Sequence, residues 1–279
     1  LPEPWVGAHL WERFNPRLVG PVLAGTATHR TAYHVRPLTL GTILTTSPSD
    51  IHALEDIDSL CMVNCTYLTE YLFYDVREIL SVPGLASLFF RESVFGPGLK
   101  MAPPQWAVSE GTLAACLREL RDLALERERE DASPVYMRRT LEKLMLILCR
   151  AFYESGEELR VPDDHLVLKL LGFIEDIVDT GEPFDVSALA STMRLSRDRL
   201  AKRFRKAMGC TLTDYYQHRR IHQASCLLLD STRTATDIAQ DLGYYDAAHF
   251  SRLFKRYRGI TPRAFRARYV DGAEFEPKT

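Results

Sequence analysis

Seven residues in two short stretches have the side chains that nucleic-acid reading needs. Asp198, Ala201 and Lys202 lie in the first stretch, and Ala247, Ala248, Ser251 and Arg252 in the second. Spacings of three and four place each set on one side of a helix. There, Lys or Arg can donate to guanine, Asp can accept from cytosine N4, and Ala can touch a thymine methyl. Cationic side chains flank both sets: Arg194, Arg197, Arg203 and Lys206 in the first, His249, Lys255 and Arg256 in the second, with Arg258 and Arg263 close by. Such groups suit phosphates, which fix register without specifying sequence. Either set alone would fit an ordinary solvated helix face; two sets in register argue against it.

The elements that carry these residues are written twice. Leu189-Ala190, Ser196, Leu200, Phe204, Gly209 and Thr211 correspond to Ile238-Ala239, Asp246, Phe250, Phe254, Gly259 and Thr261. From Ser196 and Asp246 onward the offset is 50 residues; before them it is 49, so the second turn holds one extra residue near Gly243. Ser196 and Asp246 are suited to cap helix N-termini. Leu200 and Phe204, like Phe250 and Phe254, face a small core at i, i+4. Gly209 and Gly259 suit left-handed C-terminal caps. The spacing predicts a helix from about Thr211 to Leu229 between the copies. About nineteen residues give a rod of roughly 28 Å, enough to hold two helices about one DNA turn apart, roughly 34 Å.

Residues 184–268 resemble the DNA-binding domain of the AraC/XylS family of bacterial transcription regulators. The resemblance rests on Leu189-Ala190, Ser196, Leu200, Arg203-Phe204-Arg205-Lys206, Gly209, Arg219-Arg220-Ile221, Ala224 and Leu227-Leu228. It continues through Ile238-Ala239, Leu242-Gly243-Tyr244, Phe250–Lys255 and Gly259–Arg266. It implies double-stranded DNA as partner and base contacts from the helix faces named above. It also implies RNA polymerase as a partner, with Asp237 and Asp246 as the acidic residues that would meet it; a capping role for Asp246 is the alternative.

Charge is distributed to match. Residues 183–268 hold 17 Lys and Arg against 7 Asp and Glu, net +10, and the remainder holds 18 against 30, net −12. The basic segment suits a polyanion. Six scattered cysteines without a CxxC pair predict reduced, mostly buried thiols. With no apolar run near the length of a membrane span and no leader-like segment, the expected location is the cytoplasm.

Residues 1 to about 102 are predicted to be mainly β, with strands at Leu18–Leu23, Thr31–Val35, Thr42–Thr46 and Leu60–Tyr67 and a turn at Ser47–Asp50. Gly25, Gly41, Pro48 and His52, followed by Tyr71-Leu72, Pro83-Gly84-Leu85 and Leu88-Phe89, resemble the cupin-type sensor domain of AraC-family sugar regulators, the rhamnose regulators among them. That implies a small-molecule effector, such as a sugar, in a pocket assigned to Trp11, Asn15, His29 and His52. The chain departs from the pattern at Trp11–Pro16, where many such domains open with a His-rich strand. A metal cupin would need about three His and a carboxylate; His9, His29, His34, His52 and Glu12 are spread without motif spacing, so neither metal nor cofactor is expected.

Two helices should follow at about 107–154, the first from Ser109 and the second from Ser133-Pro134. The resemblance makes them a homodimer surface; plain intramolecular packing is the alternative. Polar residues 155–163 read as a linker, and His165–Asp179 as the first helix of the DNA-binding part. His218-Arg219-Arg220-Ile221-His222 reads as a basic helix face. The expected fold is α+β in two domains: a cupin-like β-barrel with two following helices (1–154), and an all-α double helix-turn-helix domain (164–270). Two other functions stay open: a metal-dependent cupin enzyme with a DNA-binding tail, and a DNA binder that senses no ligand.

Overall fold

The computed structural model describes residues 17–47, 50–72, 75–96, 99, 102–159, 164–230 and 232–270. Six antiparallel strands form one curled sheet, a half-barrel. Strand β1 (Arg17–Thr31) is its spine and pairs with β2 (Val35–Leu38), β3 (Thr42–Thr46), β4 (His52–Met62) and β5 (Cys65–Tyr67); β6 (Gln105–Ala107) extends the sheet beyond β3. A strand that meets four partners must bend, and glycine permits it. A Cβ on Gly20 would stand 1.7 Å from the Val63 carbonyl oxygen. Gly25 has φ +71° within a run of register shifts against β4, where a bulge bends the strand.

Several strand expectations change. Leu18–Leu23 is the first part of a fifteen-residue strand. Thr31–Val35 is the tight turn between β1 and β2, closed by Thr31 N–H donating to His34 O at 2.9 Å. Leu60–Tyr67 divides at Val63-Asn64, and β4 begins eight residues before Leu60, with mostly exposed side chains that give little apolar pattern. Residues 105–107 form β6 rather than only an approach to a helix.

Short helices follow the sheet: α1 (Val76–Ser81), α2 (Leu85–Phe89) and α3 (Arg91–Phe95), preceded by a 3-10 turn at Thr69–Tyr71. Helices α4 (Glu110–Arg127) and α5 (Pro134–Glu154) start at Ser109 and Ser133, whose hydroxyls accept from Thr112 and Tyr136 N–H, with Pro134 in the first turn. α5 buries Leu141, Leu144, Met145, Leu148 and Phe152, and the Phe152 ring meets Trp106 of β6 edge-on at 5.3 Å.

The remaining helices are α6 (His165–Thr180), α7 (Val186–Thr192), α8 (Arg197–Met208), α9 (Leu212–Asp230), α10 (Ala235–Asp241), α11 (Ala247–Arg258) and α12 (Pro262–Tyr269). α9 is the centre of this half. Its Leu212, Tyr215 and Tyr216 belong to a core that runs unbroken from the sheet through α5, α6 and α8. Its Ile221, Ala224 and Leu228 belong to a second core with Ile238, Phe250, Phe254 and Phe265. The larger core thus joins the sheet and α5 to α6, α8 and the start of α9.

Candidate DNA interface

The two repeated units fold as helix–turn–helix pairs, α7–α8 and α10–α11. Their caps sit at matching positions. Ser196 accepts from Arg199 N–H at 3.4 Å, and Asp246 from His249 N–H at 2.5 Å. Gly209 and Gly259 end the helices at φ +70° and +76°, a conformation with no Cβ penalty for glycine. Leu200, Phe204 and Met208 are buried in α8, as are Phe250 and Phe254 in α11.

The opposite faces are open. Asp198, Ala201 and Lys202 are exposed on α8; Ala248 and Arg252 are exposed on α11, with Ala247 and Ser251 half-buried beside them. Each predicted set therefore lies together on the outside of its helix. Arg194, Arg197, Lys206, Lys255 and Arg256 are exposed around them. Arg194 holds φ +53° in the α7–α8 turn, where the second unit has Gly243 at φ +68°.

Three cations predicted at the edges are engaged elsewhere. Arg203 donates to the Asp164 carboxylate at 2.6 and 2.8 Å, bracing the start of α6. His249 is half-buried, its ring against Tyr244 at 6.1 Å and its Nδ1 buried without a hydrogen-bond partner. The Arg258 side chain is 8% exposed and in ion contact with Glu70 at 2.5 Å, so it is not free to flank the outward set. Sequence spacing alone could not separate Arg203 and Arg258 from the outward cations, because their partners, Asp164 and Glu70, lie far away along the chain.

The basic face expected at 218–222 is also overturned. Arg219, Arg220 and His222 are buried. Arg219 lies between Glu175 and the Ser93 carbonyl. The Arg220 guanidinium sits 3.8 Å over the Tyr244 ring and donates to Leu242 O, holding the second turn. Asp246 caps α11, and Asp237, three residues into α10, forms a reciprocal box with the cap Thr234, whose hydroxyl and N–H draw its carboxyl below the usual range.

On the effector side, Trp11 and Asn15 lie outside the described residues. His29 is fully buried, with His34 and His52 ring centroids 5.6 and 5.3 Å away. The Gln105 amide donates to Pro37 O, which leaves its carbonyl to accept from His29 Nδ1 at 2.9 Å. Among the described residues, no group of three or more His, Cys, Asp or Glu is placed to hold a metal. Beside Gln105, a cleft of about 410 Å3 is lined by Tyr33, His34, Arg36, Phe152 and Glu157. It joins the β1–β2 hairpin to the end of α5 and residues 157–159.

Burial lowers His29 below its ordinary value of 6.5, partly countered by Gln105 and Asp50, and burial also lowers His34. Their folded pKa values lie below the unfolded ones. The stability they carry is therefore complete above pH 6.5 and lost as pH falls through the folded values. The melting temperature is expected to drop from pH 7 toward pH 5, and His29→Gln to flatten that drop; an unchanged slope in the variant would exclude His29 as its source. Burial pushes the Cys65, Cys116 and Cys210 thiols up to about 11 and Cys149 to about 12, so these thiols stay protonated and poorly nucleophilic.

Two outward faces of small, polar and basic residues on one double helix–turn–helix frame suit a DNA-binding regulator. A sequence model described as a helix-turn-helix domain matches residues 189–268. The HTH-type transcriptional activator RhaR of Yersinia pestis is 24% identical over 250 residues, 89% of this chain and 81% of that protein. RhaR of Cronobacter sakazakii is 24% identical over 233 residues, 83% and 77% of the two chains. Among solved structures, an AraC-type regulator from Chromobacterium violaceum aligns at 25% identity over 38% of this chain and 92% of its own, TM-score 0.36. ToxT from Vibrio cholerae aligns at 15% identity over 92% of both, TM-score 0.47. The chain is a DNA-binding transcription regulator with a helix-turn-helix domain, similar to regulators of the AraC/XylS family. No helix among the described residues is long and apolar enough to cross a membrane.

Proposed function

We propose that α8 and α11 read two successive major grooves of one DNA duplex. The observation that carries this is the repeated geometry: capped N-termini at matching positions, buried inner faces, and outward faces of small, polar and basic residues. Asp198, Ala201 and Lys202 read bases in one groove, and Ala247, Ala248, Ser251 and Arg252 in the next. Arg194, Arg197, Lys206, Lys255 and Arg256 hold phosphates. Selection of duplexes from a random pool by the full-length protein tests the reading. Two enriched blocks about 10 base pairs apart are expected; binding that selects nothing and collapses with salt would reduce the segment to a non-specific anchor. Arg252→Ala should cost about 1–3 kcal/mol and relax specificity at one base position. Equal weakening on all sequences would move Arg252 to the phosphates.

The protein acts by binding rather than catalysis, as an activator that contacts RNA polymerase, in keeping with the activators it is similar to. Residues 1–154 sense a small effector such as a sugar, 155–163 link, and 164–270 bind DNA. The cleft beside Gln105 is suited to the effector because its wall includes Glu157 of the linker, so a ligand there favours one linker arrangement over another. A thermal-shift series with sugars tests this, since a ligand specific to the folded state raises apparent stability. Homodimers would form through α4 and α5, where Leu125, Val135, Tyr136 and Leu146 are exposed.

A further inference from the structure

The two turns differ in length, and backbone hydrogen bonds identify the added residue. Leu195 N–H donates to Ala190 O and Tyr244 N–H to Ala239 O, both at 2.9 Å. One position earlier, Arg194 N–H donates to Ser191 O and Gly243 N–H to Gln240 O, both at 3.0 Å. Leu195 and Tyr244 are therefore equivalent, and so are the caps Ser196 and Asp246. Tyr245 is the residue with no counterpart in the first unit.

Its surroundings are unusual for an aromatic side chain. Tyr244 is buried under Arg220, whereas Tyr245 is 93% exposed. A tyrosine buries a large apolar area when its ring is covered, and its hydroxyl then finds a polar partner. Here the ring stands immediately before the cap of α11, at the end from which Ala248 and Arg252 face outward and beside a helix whose last turn carries Lys255 and Arg256. A surface of that charge selects a polyanion as the cover.

We infer that Tyr245 is a DNA-contact residue of the second unit, its phenol donating to a backbone phosphate and its ring packing on the neighbouring deoxyribose. The inference rests on the reading that α11 enters a major groove. Tyr245 precedes the helix rather than lying on it, so it meets the strand that borders the groove, not the base edges inside. Helix N-termini attract phosphates, but the Asp246 carboxylate opposes an anion there. A neutral hydroxyl supplies a donor beside that carboxylate. The added residue gives the second unit a backbone anchor that the first lacks.

The test uses the full-length protein, duplexes selected by the wild type, and the variants Tyr245→Ala, Tyr245→Phe and Arg252→Ala, titrated at several salt concentrations. Tyr245→Ala should weaken binding about 10-fold on every sequence, with base preferences unchanged, as for a phosphate contact. The salt slope should also stay unchanged, because a phenol releases no counterion, unlike a lost Arg or Lys. Tyr245→Phe should lose part of that affinity. Wild-type affinity in Tyr245→Ala, a changed preference at one base, or normal binding with lost transcription activation would each overturn the assignment. A wild type that selects no sequence would instead overturn the groove reading beneath it, a result visible before any variant is measured.

Discussion

Glu175→Ala should destabilise the folded chain by about 3–5 kcal/mol, the cost of removing one partner from a buried ion pair. Arg219 is 0% exposed and Glu175 1%. The guanidinium donates to both carboxylate oxygens, at 2.6 and 2.9 Å, and to Ser93 O at 2.9 Å. Without Glu175 a full charge stays buried with its carboxylate gone. The double variant Glu175→Leu, Arg219→Met should recover most of the loss, because a well-packed apolar pair can match a buried ionic one. Denaturant titration of the three proteins checks both statements. A Glu175→Ala protein as stable as wild type would mean that the pair is reached by water. The contact to Ser93 extends the consequence beyond one half of the molecule. Ser93 is on α3, Glu175 on α6 and Arg219 on α9, so one side chain ties α3 to two long helices of the C-terminal half. Tyr215 repeats the tie one turn earlier, its hydroxyl donating to Val94 O at 2.7 Å.

This arrangement shows how far the sequence could be read. The repeat was legible because caps, apolar pairs and C-terminal glycines recur at fixed distances, and each acts locally. Helices α4, α5, α6 and α9 were legible for the same reason. The environment of α9 was not. Its Tyr215, Arg219, His222 and Cys226 stand three and four apart on one inner face, a spacing visible in the sequence. Two arginines side by side suggested a solvated face because charge usually lies outside. Glu175, 44 residues away, makes the burial of Arg219 affordable, and nothing local announces it. The strands of the sheet were harder still. β4 exposes much of its length, and β1 passes through two glycines that read as breaks but serve as bends. The candidate base-reading residues were legible as types on faces; which neighbouring cations point outward was decided by distant partners such as Asp164 and Glu70.

The second large effect is expected at Glu70 and Arg258. Met208 ends α8 as a fully buried apolar side chain; fifty residues on, the same position in α11 is Arg258. The repeat breaks at the place where the second unit meets the N-terminal part. Glu70 reaches it from the 3-10 turn, with side chains 1% and 8% exposed and the charged atoms 2.5 Å apart. The contact is ionic rather than an aligned hydrogen bond, and Thr69 Oγ1 supplies the other carboxylate oxygen with a donor at 3.1 Å. Glu70→Ala should therefore cost about 3–5 kcal/mol by leaving Arg258 buried alone. Arg258→Met with Glu70→Leu, which places the first unit's residue in the second, should restore much of that. Denaturant titration reads the stabilities, and a double-mutant cycle reads the coupling, expected at about 0.5–3 kcal/mol for residues in contact. Additive losses would show that the two charges do not depend on each other. The pair also bears on DNA binding. Tyr71 Oη donates to Tyr269 O at 3.0 Å beside it, so the end of α11 and the end of α12 are both held to the 3-10 turn. α8 belongs to the core shared with the sheet, whereas α11 is packed in its own core and reaches the N-terminal part through these polar contacts. The apolar double variant keeps the packing and removes the charge restraint. If the restraint sets the spacing of the two recognition helices, that variant should bind half-sites held about 10 base pairs apart with less preference over other spacings. Unchanged spacing preference would assign the restraint to α9 alone.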